Sequence, residues 1–579
     1  MELSDKVAQP ASRKSPTGKP INRRTNSPFG GMNLTEARIR GAPQRPSQAQ
    51  LKRSSGGREV PKEKDKSGYK ALKMQQALSV VSYGQRSRVK DKIADSDTFD
   101  KFPLLPVIRD SITPQALKSE DPVPTPVQRL ALQALLGSGK RRRRGSTGEM
   151  EQFLLAAETG SGKTLAYMLP VMDAIKRAEA EEAEQEARER AGEEEQRKGN
   201  VFELEPPPLS NAPHPTTGRP RAIILVPTAE LVAQVGAVAK SFSHTVKFKA
   251  APLSSAYSGI VIRNRIFSPN GVDIVISTPH LLASIAESDP NVLSRVTHLV
   301  VDEADSLLDR SFSPMTSAII DKSAPSLRQL ILCSATIPRS LDSYLQKRFP
   351  DITRLVTPNL HAIPRRVQLG VVEVEKDPYK GNKNLACADT IWQIGKSAEE
   401  HGHAEEEKIP TKRILVFVNE REQAAEVAEY LVSKGINAFA LSRDTAEQRH
   451  STMLAEFTGA ETKAKPAKST AAADAPNAPA AAAANSAAPG SSSAIPKRSL
   501  ANVKVLVTTD IASRGIDTTN VRHVILYDVP HTTIDFIHRL GRTGRMGRRG
   551  RGIVLVGRND RKDIVREVRD GMFRGQALI

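Results

Sequence analysis

Short apolar runs that alternate with longer helical or mixed segments constrain the fold of this chain more than any other feature. Strands buried on both faces read as continuous apolar runs, and their alternation with helices favours a parallel sheet covered on both sides. A first set of runs comprises Phe153–Ala157, Ala222–Val226, Asp273–Ser277, Leu299–Val301 and Gln329–Cys333. A second set comprises Arg413–Val418, Val503–Val507, Val521–Leu526 and Gly552–Val556. The pattern predicts an α/β protein with two domains in tandem.

The length of the chain agrees with two domains. At 579 residues it exceeds what a single hydrophobic core usually covers. We place the first domain at residues 100–358 and the second at residues 365–579, with the junction near residues 355–367. The 39 prolines, 36 glycines and 4% aromatic content indicate that loose segments accompany the two cores.

The N-terminal segment, residues 1–95, is predicted to be disordered and basic. Its first 60 residues hold 12 Lys or Arg but only four acids, together with many Ser, Pro and Gly. This composition is typical of a mitochondrial transit peptide, although the expected amphipathic helix is not evident. A basic RNA-binding or nuclear tail is the alternative interpretation.

Several inserts interrupt the two domains, and we expect none of them to carry chemistry. Lys140–Arg144 is a basic loop, and residues 173–198 are rich in Glu, Ala, Arg and Gln, a pattern typical of an exposed helix. A Pro-rich stretch follows near residues 206–220. Residues 458–499 are rich in Ala, Pro and Ser, which predicts a flexible loop between two strands of the second domain.

Charge and composition narrow the class of partner. The formal net charge of +20 favours a polyanion, either nucleic acid or an anionic membrane surface. No apolar run is long enough to span a bilayer, so we expect no membrane insertion. Two cysteines cannot form a disulfide framework or a four-cysteine zinc site.

A glycine-rich turn after the first apolar run has the composition of a phosphate-binding loop. Gly160 and Gly162 would let backbone amides surround an anion, Lys163 would reach the outer phosphates, and Thr164 would offer an oxygen to Mg²⁺. The predicted loop comprises Ala157, Glu158, Thr159, Gly160, Ser161, Gly162, Lys163 and Thr164. It departs from the general pattern at Ala157, where a glycine is usual.

An acidic cluster follows the run Leu299–Val301. Carboxylates crowded at a strand end repel one another and require a cation nearby. We predict that Asp302 holds Mg²⁺ delivered with ATP, and that Glu303 polarises the attacking water. A solvated acidic helix start would be the alternative if the phosphate-binding loop were absent.

The sequence Asp302-Glu-Ala-Asp305 resembles the signature of the DEAD-box RNA helicases, and ordered motifs extend this resemblance over about residues 100–579. It implies two tandem RecA-like domains, each a parallel sheet flanked by helices. Pro124-Thr-Pro-Val-Gln128 is similar to the adenine-reading element, with Gln128 on the base and Phe102 stacking on it. Ser334-Ala-Thr336 is similar to the coupling motif, which would contact Asp305.

Two motifs of the second domain extend the resemblance. Thr509-Asp-Ile-Ala-Ser-Arg-Gly-Ile-Asp517 implies RNA phosphate contacts for Thr509 and Arg514, and nucleotide contacts for Gly515 and Asp517. His538-Arg-Leu-Gly-Arg-Thr-Gly-Arg545 implies that Arg542 and Arg545 reach the γ-phosphate, whereas His538 and Arg539 bond the acidic and coupling motifs. The RNA-binding positions implied in all are Pro227, Thr228, Glu230, Thr278, Pro279, Arg449, Thr509 and Arg514.

Departures from the family pattern concentrate on the RNA face of the first domain. Ala229 and Leu281 stand where the family has arginines that grip RNA. Two missing charge-assisted contacts, worth roughly 1.5 to 3 kcal/mol each, would weaken RNA binding. Within the family, such divergence is similar to the fungal mitochondrial branch associated with assembly of the large mitoribosomal subunit.

The sequence therefore predicts an ATP- and Mg²⁺-dependent RNA helicase. We expect a monomer in the mitochondrial matrix that acts on ribosomal RNA with assembly factors, or alternatively a nuclear or nucleolar protein. The rival function is an ATP-gated RNA clamp or scaffold that unwinds little. A DNA helicase or another P-loop ATPase is disfavoured by Gln128 and by the order of the motifs.

Overall fold

The computed structural model describes most of the two predicted domains. The described residues are 78–79, 83–94, 97–117, 122–137, 150–199, 214–309, 311–399, 411–441, 453, 456–457, 500–510, 518, 520–545, 548–575 and 577–578. The basic loop Lys140–Arg144, the insert 458–499 and nearly all of residues 1–82 lie outside them, so the predictions of disorder for those segments stay predictions. Residues 83–94, which were also predicted to be disordered, form a helix in the structure.

The first domain contains a seven-stranded sheet in which every pair of strands is parallel. Its strands are β1 Glu151–Ala156, β2 Ala222–Leu225, β3 Ala250–Pro252, β4 Ile274–Ser277, β5 His298–Val301, β6 Gln329–Ser334 and β7 Thr353–Val356. Their order across the sheet is β3-β4-β2-β5-β6-β1-β7. The adjacent strands β5, β6 and β1 therefore end at one edge.

The second domain contains a six-stranded sheet, again with parallel pairs throughout. Its strands are β8 Val367–Glu373, β9 Lys412–Phe417, β10 Ile436–Leu441, β11 Leu500–Thr508, β12 Val521–Leu526 and β13 Gly550–Val556. Their order is β10-β11-β9-β12-β13-β8. The predicted fold class, two parallel-sheet RecA-like domains flanked by helices, is confirmed.

Helices connect the strands of both sheets. The first domain has α1 Tyr83–Ala94, α2 Pro106–Ile112, α3 Pro126–Leu135, α4 Lys163–Gly199, α5 Ala229–Val246, α6 Gly259–Ile266, α7 Pro279–Ser288, α8 Ala304–Leu307, α9 Ser313–Ser323 and α10 Arg339–Arg348. The second domain has α11 Lys383–Glu399, α12 Arg421–Ser433, α13 Thr533–Leu540 and α14 Lys562–Arg574. Proline occupies the first position of α2, α3 and α7, where its missing N–H costs no helical hydrogen bond.

Alternating burial explains why the strands read as continuous apolar runs. In β1, Phe153 and Leu155 pack into the core on one face of the sheet, while Leu154 and Ala156 pack into the core on the other. Both faces are covered by helices, so neither set of side chains can be polar. Complete burial of a residue such as Leu154 stabilises the fold by about 1.5–3 kcal/mol.

The charged segment 173–198 is helical, and it forms the outer part of α4 rather than a separate insert. Its base is anchored to the sheet, because Arg221 bonds Glu182 at 2.6 Å and lies 3.5 Å from Glu179. Arg295 bonds the second oxygen of Glu182 at 2.9 Å. These contacts hold the helix that begins at the phosphate-binding loop firmly against β2 and β5.

Candidate active site between the two domains

The glycine-rich turn links β1 to α4 at the edge where β5 and β6 also end. Gly160 and Gly162 adopt positive φ angles of 75° and 89°, which side chains rarely tolerate. A Cβ added at Gly162 would lie 2.7 Å from Nε2 of Gln128. Both glycines are therefore required by conformation, and the turn has the shape of an anion cradle.

Lys163 places its ammonium group inside this turn. Its Nζ donates hydrogen bonds to the carbonyl oxygens of Ala157 at 2.8 Å and Glu158 at 3.1 Å. Burial lowers the pKa of Lys163, and the nearby Asp302 carboxylate opposes that shift. A phosphate group entering the turn would favour the charged ammonium and so bind to it.

Asp302 directly follows β5, and each of its two carboxylate oxygens accepts a hydrogen bond from a different donor. Oδ1 accepts a hydrogen bond from the Glu303 amide at 2.9 Å, and Oδ2 accepts one from the Tyr167 hydroxyl at 3.0 Å. Burial raises the pKa of Asp302 to about 6, against the opposing effect of Lys163. Such a group is poised for a cation, whose charge would keep it ionised.

Tyr167 is a site residue that the sequence analysis missed. It lies in the apolar stretch of α4, is completely buried, and bonds Asp302 and Thr164, the two predicted ligands of Mg²⁺. Burial and the Asp302 charge together raise the pKa of Tyr167 well above its usual value, so its hydroxyl stays protonated. The sequence did contain a clue to this role, namely a tyrosine within an otherwise apolar run. A tyrosine buried there needs a hydrogen-bond partner for its hydroxyl.

Glu303 adopts a left-handed backbone conformation with φ 51° and ψ 52°. A non-glycine residue in this region costs about 1–3 kcal/mol and persists where its surroundings enforce it. Within the described residues, Glu303 Oε2 is buried and has no hydrogen-bond partner. A buried acceptor without a donor fits a carboxylate that awaits a bound water molecule.

The donors present fit a Mg²⁺ ion carried by a nucleotide. Thr164 supplies a hydroxyl and Asp302 a carboxylate, and such sites use few protein ligands because phosphates and water complete the coordination. Across the part of the chain that the structure describes, no group of three or more His, Cys, Asp or Glu side chains forms a self-sufficient metal site.

The coupling motif contacts the acidic motif in the structure. Thr336 Oγ1 donates to Asp305 Oδ2 at 2.5 Å. Nε2 of His538, in the second domain, lies 3.4 Å from both Asp305 Oδ2 and Thr336 Oγ1. Ser334 instead bonds within its own motif, to the carbonyl of Thr336 at 2.6 Å. Two side chains, one from each domain, therefore converge on the Asp305 carboxylate.

Arg539 does not join this group, contrary to the sequence-based expectation. Its guanidinium forms two bonds to Asp510, at 2.7 and 2.6 Å, and one to Asn419 at 2.8 Å. These partners belong to the second domain, so Arg539 braces the segment that follows β11. His538 and Arg539 are neighbours on α13 and project about 100° apart, so they cannot face the same partner.

Arg545 lies against the phosphate-binding loop, while Arg542 is buried and donates a hydrogen bond to the carbonyl oxygen of His538. A Cβ added at Gly160 would meet Cγ of Arg545 at 3.1 Å, so the aliphatic stem of Arg545 lies across that glycine. The Thr159 hydroxyl also bonds the carbonyl oxygen of Gly541 at 3.2 Å, and only 4% of Arg542 is exposed. The two domains thus meet at the predicted position of the terminal phosphate.

The predicted adenine-reading residues Gln128 and Phe102 are both buried. The Gln128 amide accepts from the Thr125 backbone at 2.9 Å and donates to the Gly162 carbonyl at 3.3 Å, which leaves one N–H and one lone pair for a base. Phe102 is only 5% exposed and packs within the core of the first domain. In this conformation its ring offers no free face for stacking.

The predicted RNA-contacting residues cluster at the starts of two helices that follow neighbouring strands. Pro227, Thr228 and Glu230 lie at the junction of β2 and α5, while Thr278 and Pro279 lie at the junction of β4 and α7. Helix N-termini favour phosphate groups through their exposed amides. Thr509 follows β11, whereas Arg449, Arg514, Gly515 and Asp517 lie outside the described residues.

Together the two sheets and this cleft define a two-domain P-loop ATPase whose site is completed by the second domain. Comparison with family models agrees: residues 125–344 match DEAD/DEAH box helicase, and residues 495–547 match helicase conserved C-terminal domain. The chain is 63% identical over 570 residues to the ATP-dependent RNA helicase mrh4, mitochondrial, of Sclerotinia sclerotiorum, covering 98% of this chain and 91% of that protein. It belongs to the DEAD-box helicase family, and the predicted family membership and enzyme class are confirmed.

Other relatives and solved structures agree with this assignment. The mitochondrial ATP-dependent RNA helicase mrh4 of Aspergillus fumigatus is 58% identical over 597 residues, covering 100% of this chain and 92% of that protein. Mss116 bound to ssRNA and UDP-BeF superposes with a TM-score of 0.55 at 19% identity, covering 86% of this chain and 79% of Mss116. S. cerevisiae Dbp5 bound to RNA and ADP BeF3 superposes with a TM-score of 0.52 at 20% identity, covering 84% of this chain and 94% of Dbp5. The two structural likenesses show the shared fold.

Proposed function

We propose that this chain is a mitochondrial enzyme that couples ATP hydrolysis to local RNA unwinding or to remodelling of RNA–protein complexes. The contact between Arg545 and Gly160 supports the proposal, because the aliphatic stem of this second-domain arginine lies beside the phosphate-binding loop. The names of the relatives supply the expected substrates, ATP and RNA, and the expected compartment.

The chemistry follows from which groups surround the terminal phosphate. Lys163 holds its oxygens from the first domain, and Arg542 and Arg545 approach from the second. The free Glu303 oxygen would accept a proton from the attacking water. When bound with the nucleotide, Mg²⁺ neutralises phosphate charge, and Thr164 and Asp302 are the residues that would hold it.

Hydrolysis in this site depends on closure of the two domains. Arginines that stabilise the transition state contribute roughly 10³ to 10⁵ in rate, so separated domains should turn over little ATP. RNA phosphates would bind the starts of α5 and α7 together with the segment after β11, which also requires closure. ATP and RNA then favour the same closed state, and each strengthens binding of the other by the same factor.

The second candidate function, an ATP-gated RNA clamp, is favoured by two particular residues. Ala229 begins α5, and Leu281 packs partly into the core beneath α7. Neither offers a cation to RNA where the family has an arginine. If RNA binding is weak while the hydrolytic site is intact, the protein would hydrolyse ATP but separate few RNA strands.

ATPase activity with and without single-stranded RNA tests the proposal. We expect RNA to stimulate turnover and the Glu303→Gln variant to remove that stimulation while still binding ATP. ATP-dependent RNA retention without turnover would favour the clamp. Equal stimulation by single-stranded DNA would contradict the assignment of RNA as substrate.

We further propose a matrix location and a role in assembling the large mitochondrial ribosomal subunit. The Arg- and Ser-rich N-terminal segment supports import, and the net charge of +20 supports binding to ribosomal RNA. Imaging of the intact chain against a variant lacking residues 1–60 tests import. Depletion followed by gradient analysis of mitochondrial ribosomes tests the role in assembly, and an unchanged subunit profile would exclude it.

A further inference from the structure

Ile337 and Pro338, which directly follow the coupling motif, are contacted by residues from distant parts of the sequence. Leu78 pairs with Pro338 as an antiparallel bridge, and the Ser79 amide donates to the Ile337 carbonyl at 2.9 Å. The short segment Leu78–Ser79, which precedes the first domain, therefore lies beside the residues that follow the coupling motif.

The same segment also packs against the second domain. The side chain of Leu78 is only 2% exposed and belongs to the hydrophobic cluster that includes Val367, Leu415 and Phe536 of that domain. One short segment therefore bonds the first domain through its backbone and packs into the second domain through its side chain.

His361 makes a parallel connection from the junction between the domains. Its Nε2 accepts a hydrogen bond from the Ile337 amide at 3.0 Å, and its carbonyl oxygen accepts one from Leu578 at 3.0 Å. The residue is 1% exposed and has a φ of 64°, an uncommon backbone conformation for a histidine. Both backbone groups of Ile337 thus bond residues outside the sheet of the first domain.

We propose that His361 and Leu78 are positioning residues that fasten Ile337–Pro338 to the second domain in the closed state. We call these contacts, made by Leu78, Ser79 and His361, the clasp. Thr336 immediately precedes Ile337, so the clasp would hold the Thr336 hydroxyl against Asp305 and near His538. The inference rests on the proposed function, since it assigns to the clasp part of the coupling between RNA binding and ATP hydrolysis.

The clasp should shift the equilibrium between open and closed domains without touching the reacting groups. Loss of one such hydrogen bond typically corresponds to a factor of about five. Because ATP and RNA both bind the closed state, each should lose affinity by that same factor. Turnover at saturating ATP and RNA should change little.

A matched set of variants tests the role of His361. His361→Leu removes the acceptor, whereas His361→Gln keeps an oxygen near the position of Nε2. His244→Leu, at an exposed histidine of α5, is the control. We expect about fivefold higher apparent KM values for both ATP and RNA with His361→Leu, nearly normal values with His361→Gln, and no change with His244→Leu.

Two further measurements separate positioning from misfolding. Ser79→Pro removes the amide donor to Ile337, and a proline is compatible with an extended residue before it. Closure can be followed by fluorescence transfer between labels at Glu287→Cys and Glu429→Cys, since the native cysteines Cys333 and Cys387 are buried. We expect His361→Leu and Ser79→Pro to reduce closure at limiting RNA and to retain the thermal midpoint of a folded protein.

Three outcomes would overturn the clasp: unchanged closure in both variants, loss of ATP affinity without loss of RNA affinity, or failure of His361→Gln to restore coupling. The proposed function fails separately, if RNA does not stimulate ATP turnover by the unmodified chain. That measurement on the unmodified chain therefore comes first.

Discussion

Thr336 donates a hydrogen bond to Asp305 at 2.5 Å, and His538 approaches the same carboxylate oxygen from the other domain at 3.4 Å. The Thr336 hydroxyl is thus in contact with the acidic motif of the first domain and close to His538 of the second, so its position depends on both. A hydrogen bond to a charged group contributes about 1.5–3 kcal/mol, enough to shift a conformational equilibrium by roughly one to two orders of magnitude.

Replacing Thr336 by Val should therefore uncouple RNA binding from hydrolysis. Valine keeps the branched shape but removes the donor to Asp305. We expect RNA stimulation of the ATPase to fall about tenfold or more, while nucleotide affinity without RNA stays near normal. Thr336→Ser retains a hydroxyl and should keep most of the stimulation; equal losses in both variants would contradict this role.

Glu303→Gln should abolish most of the catalysis while leaving binding intact. General base catalysis contributes about 10²–10⁴ in rate, and the amide cannot accept the proton. Single-turnover hydrolysis in the presence of RNA measures the chemical step directly. Glu287→Gln, at an exposed position of α7, is the control, and turnover within tenfold of normal for Glu303→Gln would exclude the assigned base.

Arg545→Lys should show whether the guanidinium acts on the terminal phosphate. Lysine retains the charge but lacks the planar fork that contacts two oxygens, so we expect kcat to fall by about 10²–10³ with a much smaller change in nucleotide affinity. Arg558→Lys, outside the cleft in the turn after β13, is the control. A loss confined to KM would place Arg545 in substrate binding only.

Tyr167→Phe should weaken the response to Mg²⁺ selectively. The change removes the hydroxyl that bonds Thr164 and Asp302 and leaves a buried carboxylate oxygen short of a donor. We expect the Mg²⁺ concentration for half-maximal nucleotide binding to rise about three- to tenfold, with binding in EDTA unchanged. Tyr527→Phe, which removes a buried hydroxyl bonded to Asn384, is the matched control.

The acid stability of the protein should depend on His361. Burial and, to a smaller extent, the charge of Arg86 lower the pKa of His361 to about 4, against the opposing effect of Asp305. The folded state therefore binds fewer protons than the unfolded state between that value and about 6.5. This contribution to stability is complete above about pH 6.5 and is lost on acidification towards pH 4, at about 1.4 kcal/mol per pH unit.

Urea unfolding at pH 7, 5.5 and 4.5 measures this slope. His361→Gln does not titrate, so its free energy of unfolding should fall less steeply over the same range. His298 and His523, whose pKa values are lowered to about 4 by burial, are present in both proteins and cancel in the comparison. Equal slopes would mean that His361 is not protonated on unfolding.

The buried strands were predictable because each is a local apolar run with no competing pattern. The nine predicted runs fall on β1, β2, β4, β5, β6, β9, β11, β12 and β13. Four strands were not predicted, namely β3, β7, β8 and β10. All four lie at an edge of a sheet, where one side of the strand is unpaired and the apolar pattern is weaker.

The phosphate-binding loop and the acidic motif could be recognised in the sequence because each is a contiguous segment between a strand and a helix. Their glycines, lysine and carboxylates must lie within a few residues of one another, so local order fixes their chemistry. The sequence by itself thus determined the fold class and the family, and it supplied most of the residues that we propose face the nucleotide.

The tertiary structure decided which side chains meet across the chain. It directed His538 towards Asp305 but Arg539 towards Asp510, it gave the buried Tyr167 two partners from the predicted Mg²⁺ site, and it brought Leu78 and His361 to Ile337. These contacts depend on distances and directions between segments far apart in sequence. Residue order alone carries no information on them until the packing of helices and sheets fixes where each side chain points.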